Sequence, residues 1–115
     1  LQSNFHVETE EEPRGTVVTV TGELDIASST ELETILDVLH ETKLVIIDLR
    51  GLEFVDSTGL GVLVRAHQHA LEHGNRVALV RGPGQVDRLL GLTGLESQLL
   101  IADTVEELLD LGVTD

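Results

Sequence analysis

Two hydrophobic periods alternate along the chain. Phe5 and Val7 alternate with His6 and Glu8, and Val17, Val18 and Val20 interleave with threonines over residues 16–21. Period-two patterning with β-branched residues predicts two half-buried strands. The segment between them, Glu10-Glu11-Glu12-Pro13-Arg14-Gly15, reads as an exposed turn closing an antiparallel hairpin. Gly22-Glu23-Leu24-Asp25 ends the second strand. Leu32, Ile35, Leu36 and Leu39 then recur at helical spacing to about Glu41, behind a capping box of Ser28 and Glu31. Residues 44–49, Leu-Val-Ile-Ile-Asp-Leu, form the near-continuous apolar run of a strand covered on both faces.

Leu60, Leu63, Val64, His67 and Leu71 mark one face of a central helix, and Gly61, Arg65, Gln68 and Glu72 its polar stripe. Gly74 closes that helix. A strand over residues 76–80 follows, then a break at Gly82-Pro83-Gly84 and a short helix marked by Val86, Leu89 and Leu90. Beyond a turn at Thr93-Gly94-Leu95 come a last strand, Leu99-Leu100-Ile101, and a last helix. Asp103 is its expected cap, with Glu106 at N3 and Val105, Leu108 and Leu109 facing inward. The tail after Gly112 is expected to be loose. An initial hairpin followed by alternating strands and helices predicts an α/β fold. It would have a mixed sheet of about four to five strands with about four helices, in one domain over residues 1–115 whose core runs from about 5 to 111.

Composition narrows the function classes. The 41% hydrophobic content is aliphatic, with two phenylalanines and neither Trp nor Tyr, so the chain lacks platforms for stacking bases. Seven basic against 21 acidic residues give a net charge of −14. That disfavours nucleic acid and anionic membrane surfaces and suits a basic or polar partner. With no cysteine, disulfides, thiolate metal sites and cysteine nucleophiles are excluded. No apolar stretch reaches the ~18 residues of a membrane span and no signal-peptide pattern opens the chain, so a cytoplasmic protein is expected. A monomer is expected too.

The chemistry concentrates in Asp56-Ser57-Thr58-Gly59, between the buried strand and the central helix. Ser57 falls at or next to the helix N-cap, where most serines only cap. The same position offers free N–H groups and partial positive charge that accept phosphate well. The small neighbours Thr58 and Gly59 leave the hydroxyl reachable, and Asp56 can orient it or repel an added phosphate. A catalytic nucleophile is not indicated, because no Gly-x-Ser-x-Gly elbow surrounds Ser57 and no histidine is positioned as its base. Gly82-Pro83-Gly84 lacks the lysine and spacing of a phosphate-binding loop. His69 and His73 stand at i, i+4 and can chelate a metal in principle. With no further ligand evident they read as a solvated pair, and no metal is expected. Gly61, Val62 and Arg65 occupy the first turns of the helix beside Ser57. Val62, apolar near the polar face, is the expected partner contact. Asp25 reads as a turn residue, Asp48 as a strand end, and Glu53 and residues 10–12 as solvated.

The order Gly22-Glu23-Leu24-Asp25, Ile47-Asp48-Leu49, residues 54–63 (Phe-Val-Asp-Ser-Thr-Gly-Leu-Gly-Val-Leu) and Thr93-Gly94-Leu95 resembles the STAS domain. More narrowly it resembles the bacterial anti-sigma factor antagonists of the SpoIIAA and RsbV type, over nearly the whole chain. The resemblance implies that Ser57 is phosphorylated by an anti-sigma factor that is also a serine kinase and supplies ATP and Mg2+. Thr58 is a second candidate hydroxyl. The unphosphorylated antagonist would bind that kinase and free the sigma factor, phosphorylation would weaken the complex, and a PP2C-type phosphatase would restore it by removing the phosphate. The implied docking surface is Asp25, Asp56, Ser57, Thr58, Gly59, Gly61, Val62 and Arg65, with no catalysis and no cofactor of the chain's own. The alternative is a non-phosphorylated STAS scaffold or accessory module in a multiprotein, transport or ligand-sensing system.

Overall fold

The computed structural model describes residues 4–113. One five-stranded mixed sheet has its strands in chain order: β1 (Phe5–Glu12), β2 (Gly15–Leu24), β3 (Leu44–Val55), β4 (Arg76–Val80) and β5 (Leu100–Ala102). β1 pairs antiparallel with β2, and every other neighbouring pair is parallel. Parallel neighbours need crossovers, and three helices supply them: α1 (Ile26–Val38), α2 (Ser57–Glu72) and α3 (Gly84–Leu92). A fourth, α4 (Val105–Val113), follows the sheet.

Alternation along β3 sorts the core into two layers. Val45, Ile47 and Leu49 point to the face covered by α1, α2 and α3, where they pack with Leu32, Leu63, Val86 and Leu90. Leu44 and Ile46 point to the other face, against Leu108 and Leu109 of α4. Burial on both faces explains the continuous apolar run.

Several boundaries differ from the sequence expectation. The hairpin turn is narrower: residues 10–12 lie in β1, paired with Val17, Thr16 and Gly15, and only Pro13 and Arg14 turn. The acidic side chains therefore line an edge strand, where like charges discourage pairing with another sheet. β3 runs past Leu49 to Val55, α1 stops at Val38, and β5 is shifted to Leu100–Ala102 behind a short 3-10 helix (Leu95–Ser97). Asp48 is interior to β3 and 6% exposed. Leu71 is 57% exposed, and in the last turn of α2 it is Ala70, 7% exposed, that packs into the core.

The caps also moved. Asp25, not Ser28, caps α1. Its Oδ1 accepts the N–H groups of Ala27 (3.1 Å) and Ser28 (3.2 Å), and the Ser28 hydroxyl accepts the Asp25 N–H at 2.9 Å. At α4 the reciprocal pair is Thr104 and Glu107, while Asp103 accepts the Arg81 Nε–H at 3.1 Å. The helix continues to Val113, and the rest of the tail expected to be loose lies outside the described residues.

Candidate functional site

Leu24 of β2 and Val55 of β3 are register partners in parallel strands. The residues that follow them, Asp25 and Asp56, therefore leave the sheet side by side at its carboxyl edge. Each caps the helix that starts there. Crevices outside the carboxyl ends of parallel strands are where open α/β sheets bind ligands.

Asp56 holds this edge together. Its backbone N–H donates to the Leu24 carbonyl at 3.1 Å. Its Oδ1 accepts the Gly59 N–H at 2.8 Å, capping α2, and its Oδ2 accepts the Ile26 N–H of α1 at 3.2 Å. Gly59 is buried, and a Cβ there would lie 2.6 Å from Leu24 Cγ and 2.7 Å from the Leu24 carbonyl oxygen. The lack of a side chain lets α2 begin against β2.

Ser57 is thus the first helical residue rather than the cap. Its side chain is exposed, and its hydroxyl makes no hydrogen bond among the described residues. Thr58 is exposed in the same way. The cap engages the N–H of Gly59, so those of Ser57 and Thr58 lack acceptors within the helix. Ser57, Gly61 and Arg65 fall on one stripe at i, i+4 and i+8. A Cβ at Gly61 would lie 3.2 Å from Arg65 Nη1, which places the guanidinium back along the helix toward Gly61. Arg65 also donates to Glu33 of α1 through Nη2 at 3.1 Å and Nε at 3.3 Å.

The structure brings Asp25, Asp56, Ser57, Thr58, Gly61 and Arg65 to one edge and its adjoining helix face. Val62 is a correction: it is 2% exposed and packs inward, so its side chain is not a surface contact. Gly59 is likewise covered, and its part is to let the helix approach.

Three residues at this edge were not among the expected site residues. Ile26 is 73% exposed although apolar, and Phe54 is 40% exposed, both within two residues of the caps. Gln85, at the start of α3, closes the end of β3. Its Oε1 accepts the Val55 N–H at 3.1 Å and its Nε2 donates to the Val55 carbonyl at 2.9 Å. β4 ends opposite Asp48, so this amide replaces the missing strand. An exposed apolar residue after a cap is a weak sequence signal. Gln85 offered none.

On the α4 side of the sheet, Asp48 binds Arg50 through two charged hydrogen bonds, at 3.0 and 2.8 Å, and accepts the Arg50 backbone N–H at 3.0 Å. Burial pushes the Asp48 carboxyl up, but these bonds and the Arg50 charge outweigh it and hold it below its ordinary value. Arg81 gathers Asp87, Glu96 and Asp103, whose hydrogen bonds raise its guanidinium above the usual range. Both arrangements read as structural ion pairs.

The STAS domain profile matches residues 6–108, and the chain belongs to the STAS domain family. It is similar to the anti-sigma-B factor antagonist of Staphylococcus aureus, 27% identical over 105 residues that span 90% of this chain and 97% of that protein. It is also similar to the anti-sigma F factor antagonist of Paenibacillus polymyxa, 29% identical over 114 residues, 96% of this chain and 97% of that one. Among solved structures, an anti-sigma factor antagonist from Mycobacterium paratuberculosis matches with a TM-score of 0.83 at 25% identity, covering 96% of this chain and 95% of that chain.

Proposed function

We propose that the protein is an anti-sigma factor antagonist that docks on a serine-kinase anti-sigma factor through the Asp25–Ser57 edge and is released by phosphorylation of Ser57. One observation carries the reading. Asp56 supplies the cap of α2, and the Ser57 hydroxyl stands exposed at the helix N-terminus with no hydrogen bond among the described residues.

A phosphoserine carries about −1.5 to −2 charges at neutral pH. At the first helical position the fold tolerates it, since the helix dipole favours an anion there by up to ~2 kcal/mol. A partner docked over Ser57 would have to bury that charge beside the carboxylates of Asp25 and Asp56. Uncompensated burial costs several kcal/mol, and ~1.4 kcal/mol already weakens binding tenfold. The switch is therefore local electrostatics on a preformed surface. The protein acts by binding and performs no catalysis. ATP and Mg2+ belong to the kinase, and a PP2C-type phosphatase returns the acceptor hydroxyl.

A second reading, a ligand-sensing module without phosphorylation, draws on a cavity of about 320 Å³ between α1 and α2, lined by Val45, Val62, Ala66 and Val77 with a polar rim. The deciding experiment is mass spectrometry after incubation with candidate anti-sigma kinases and Mg-ATP, with Ser57→Ala as control. One phosphate on Ser57, absent from the variant, is expected. No incorporation by active kinases, with partner binding unchanged in Ser57→Asp, would remove the switch and favour the second reading.

A further inference from the structure

The last turn of α2 presents His69, Glu72 and His73 on the exposed surface, each with a ligand atom within 4.8 Å of the others. Helical spacing of i, i+3 and i+4 puts them on one face, and the two imidazoles lie 4.3 Å apart between centroids. Glu72 is the carboxylate that the sequence reading did not find for the pair.

The donors are prepared for a cation. The Nδ1–H of His73 donates to the His69 carbonyl at 2.8 Å. That bond fixes the tautomer and leaves the Nε2 lone pair outward, the way backbone carbonyls orient metal-bound histidines. Glu72 forms no ion pair or hydrogen bond among the described residues. The helix C-terminus adds partial negative charge, in a chain of net charge −14. Arg65 and Arg76 line the adjoining groove, and Arg65 is engaged by Glu33.

We propose that His69, Glu72 and His73 form a site for a divalent transition metal, Zn2+ or Ni2+, with water completing the coordination. Two imidazole nitrogens and a carboxylate oxygen are a common zinc donor set. With metal–ligand bonds near 2.1 Å, tetrahedral donors stand about 3.4 Å apart, so exposed side chains close the gap by rotating. Imidazole also favours zinc, nickel and copper over magnesium and calcium, which separates this site from diffuse attraction of hard cations to the acidic surface. The site lies at the far end of α2 from Ser57, about 18–24 Å away at 1.5 Å per residue, and does not depend on the phosphorylation reading.

Titration of the tag-free protein with ZnCl2 and with NiCl2 by calorimetry tests the site, with MgCl2 as the hard-cation control. One equivalent of zinc or nickel is expected to bind saturably, with affinity falling roughly tenfold or more in His69→Ala and in His73→Ala. His40→Ala, on the groove rim outside the cluster, should bind as the parent does. Circular dichroism would establish that these surface variants are folded. Absence of saturable binding by the parent protein would overturn the proposal, as would binding retained in the His69→Ala/His73→Ala double variant.

Discussion

The Asp56 carboxylate accepts the Ile26 N–H of the neighbouring helix at 3.2 Å while capping its own helix at Gly59. One side chain thus serves two helix N-termini at the edge where Ser57 stands. Asp56→Ala is expected to lose about 1–2 kcal/mol, the upper range for removing a cap. Asp56→Ser should recover part of it, since its single oxygen can satisfy one helix only. Urea unfolding of the three proteins checks this, and a midpoint unchanged in Asp56→Ala would contradict it.

Gly59 and Gly61 make opposite predictions for the same substitution. In a helix, Ala is favoured over Gly by roughly 1 kcal/mol. At Gly61 the one close neighbour of an added Cβ among the described residues is the end of the flexible Arg65 side chain, so Gly61→Ala should be neutral or stabilising by that amount. At Gly59 the neighbours are Leu24 Cγ and its carbonyl oxygen, inside 3 Å. Overpacking there should outweigh propensity and cost about 1–3 kcal/mol. Thermal melts should move in opposite directions, by roughly 4–8 °C per kcal/mol for a chain near 100 residues.

Gln85→Leu removes both hydrogen bonds that close the end of β3. Leaving the partly buried Val55 amide group unpaired should cost about 1–3 kcal/mol. Gln85→Glu keeps an acceptor for the N–H but cannot donate to the carbonyl while ionised, so its cost should lie between. Chemical denaturation resolves the order, and equal stability of all three would show that water replaces the amide.

Asp48 supplies a pH dependence. Its native carboxyl titrates below the ordinary value of 3.8. Near that pH the unfolded chain binds more protons than the native one. The resulting stabilisation is present above the ordinary value and lost as pH falls through the native one. Asp48→Asn should therefore be less stable than the parent at pH 6, by ~1 kcal/mol because Arg50 is half-exposed. The gap should narrow toward pH 3, as urea midpoints across that range would show. A constant gap would assign the Asp48 effect to packing.

The fold was legible where burial writes a period into the chain. The strand pairs, the double-faced run at Ile46 and Ile47 and the inward positions Leu60 and Leu63 all follow from alternation or helical spacing. The caps were not, because Asp25, Ser28, Asp56, Ser57, Asp103 and Thr104 are all competent caps. Only three-dimensional pairing decides which turns inward. Val62 was misplaced because a helix seated between a sheet and α1 buries more than one stripe. Glu72 was missed as a companion of the histidines because its neighbours along the helix also read as an ordinary polar face.

The shared carboxylate of Asp56 also has a kinetic consequence. Ile26 and Gly59 lie on different helices and 33 positions apart in sequence, yet their amide protons are held by the same side chain. Deuterium should enter both through a common opening, with protection lost together when Asp56 swings away, while amides deeper in α1 and α2 keep their own exchange rates.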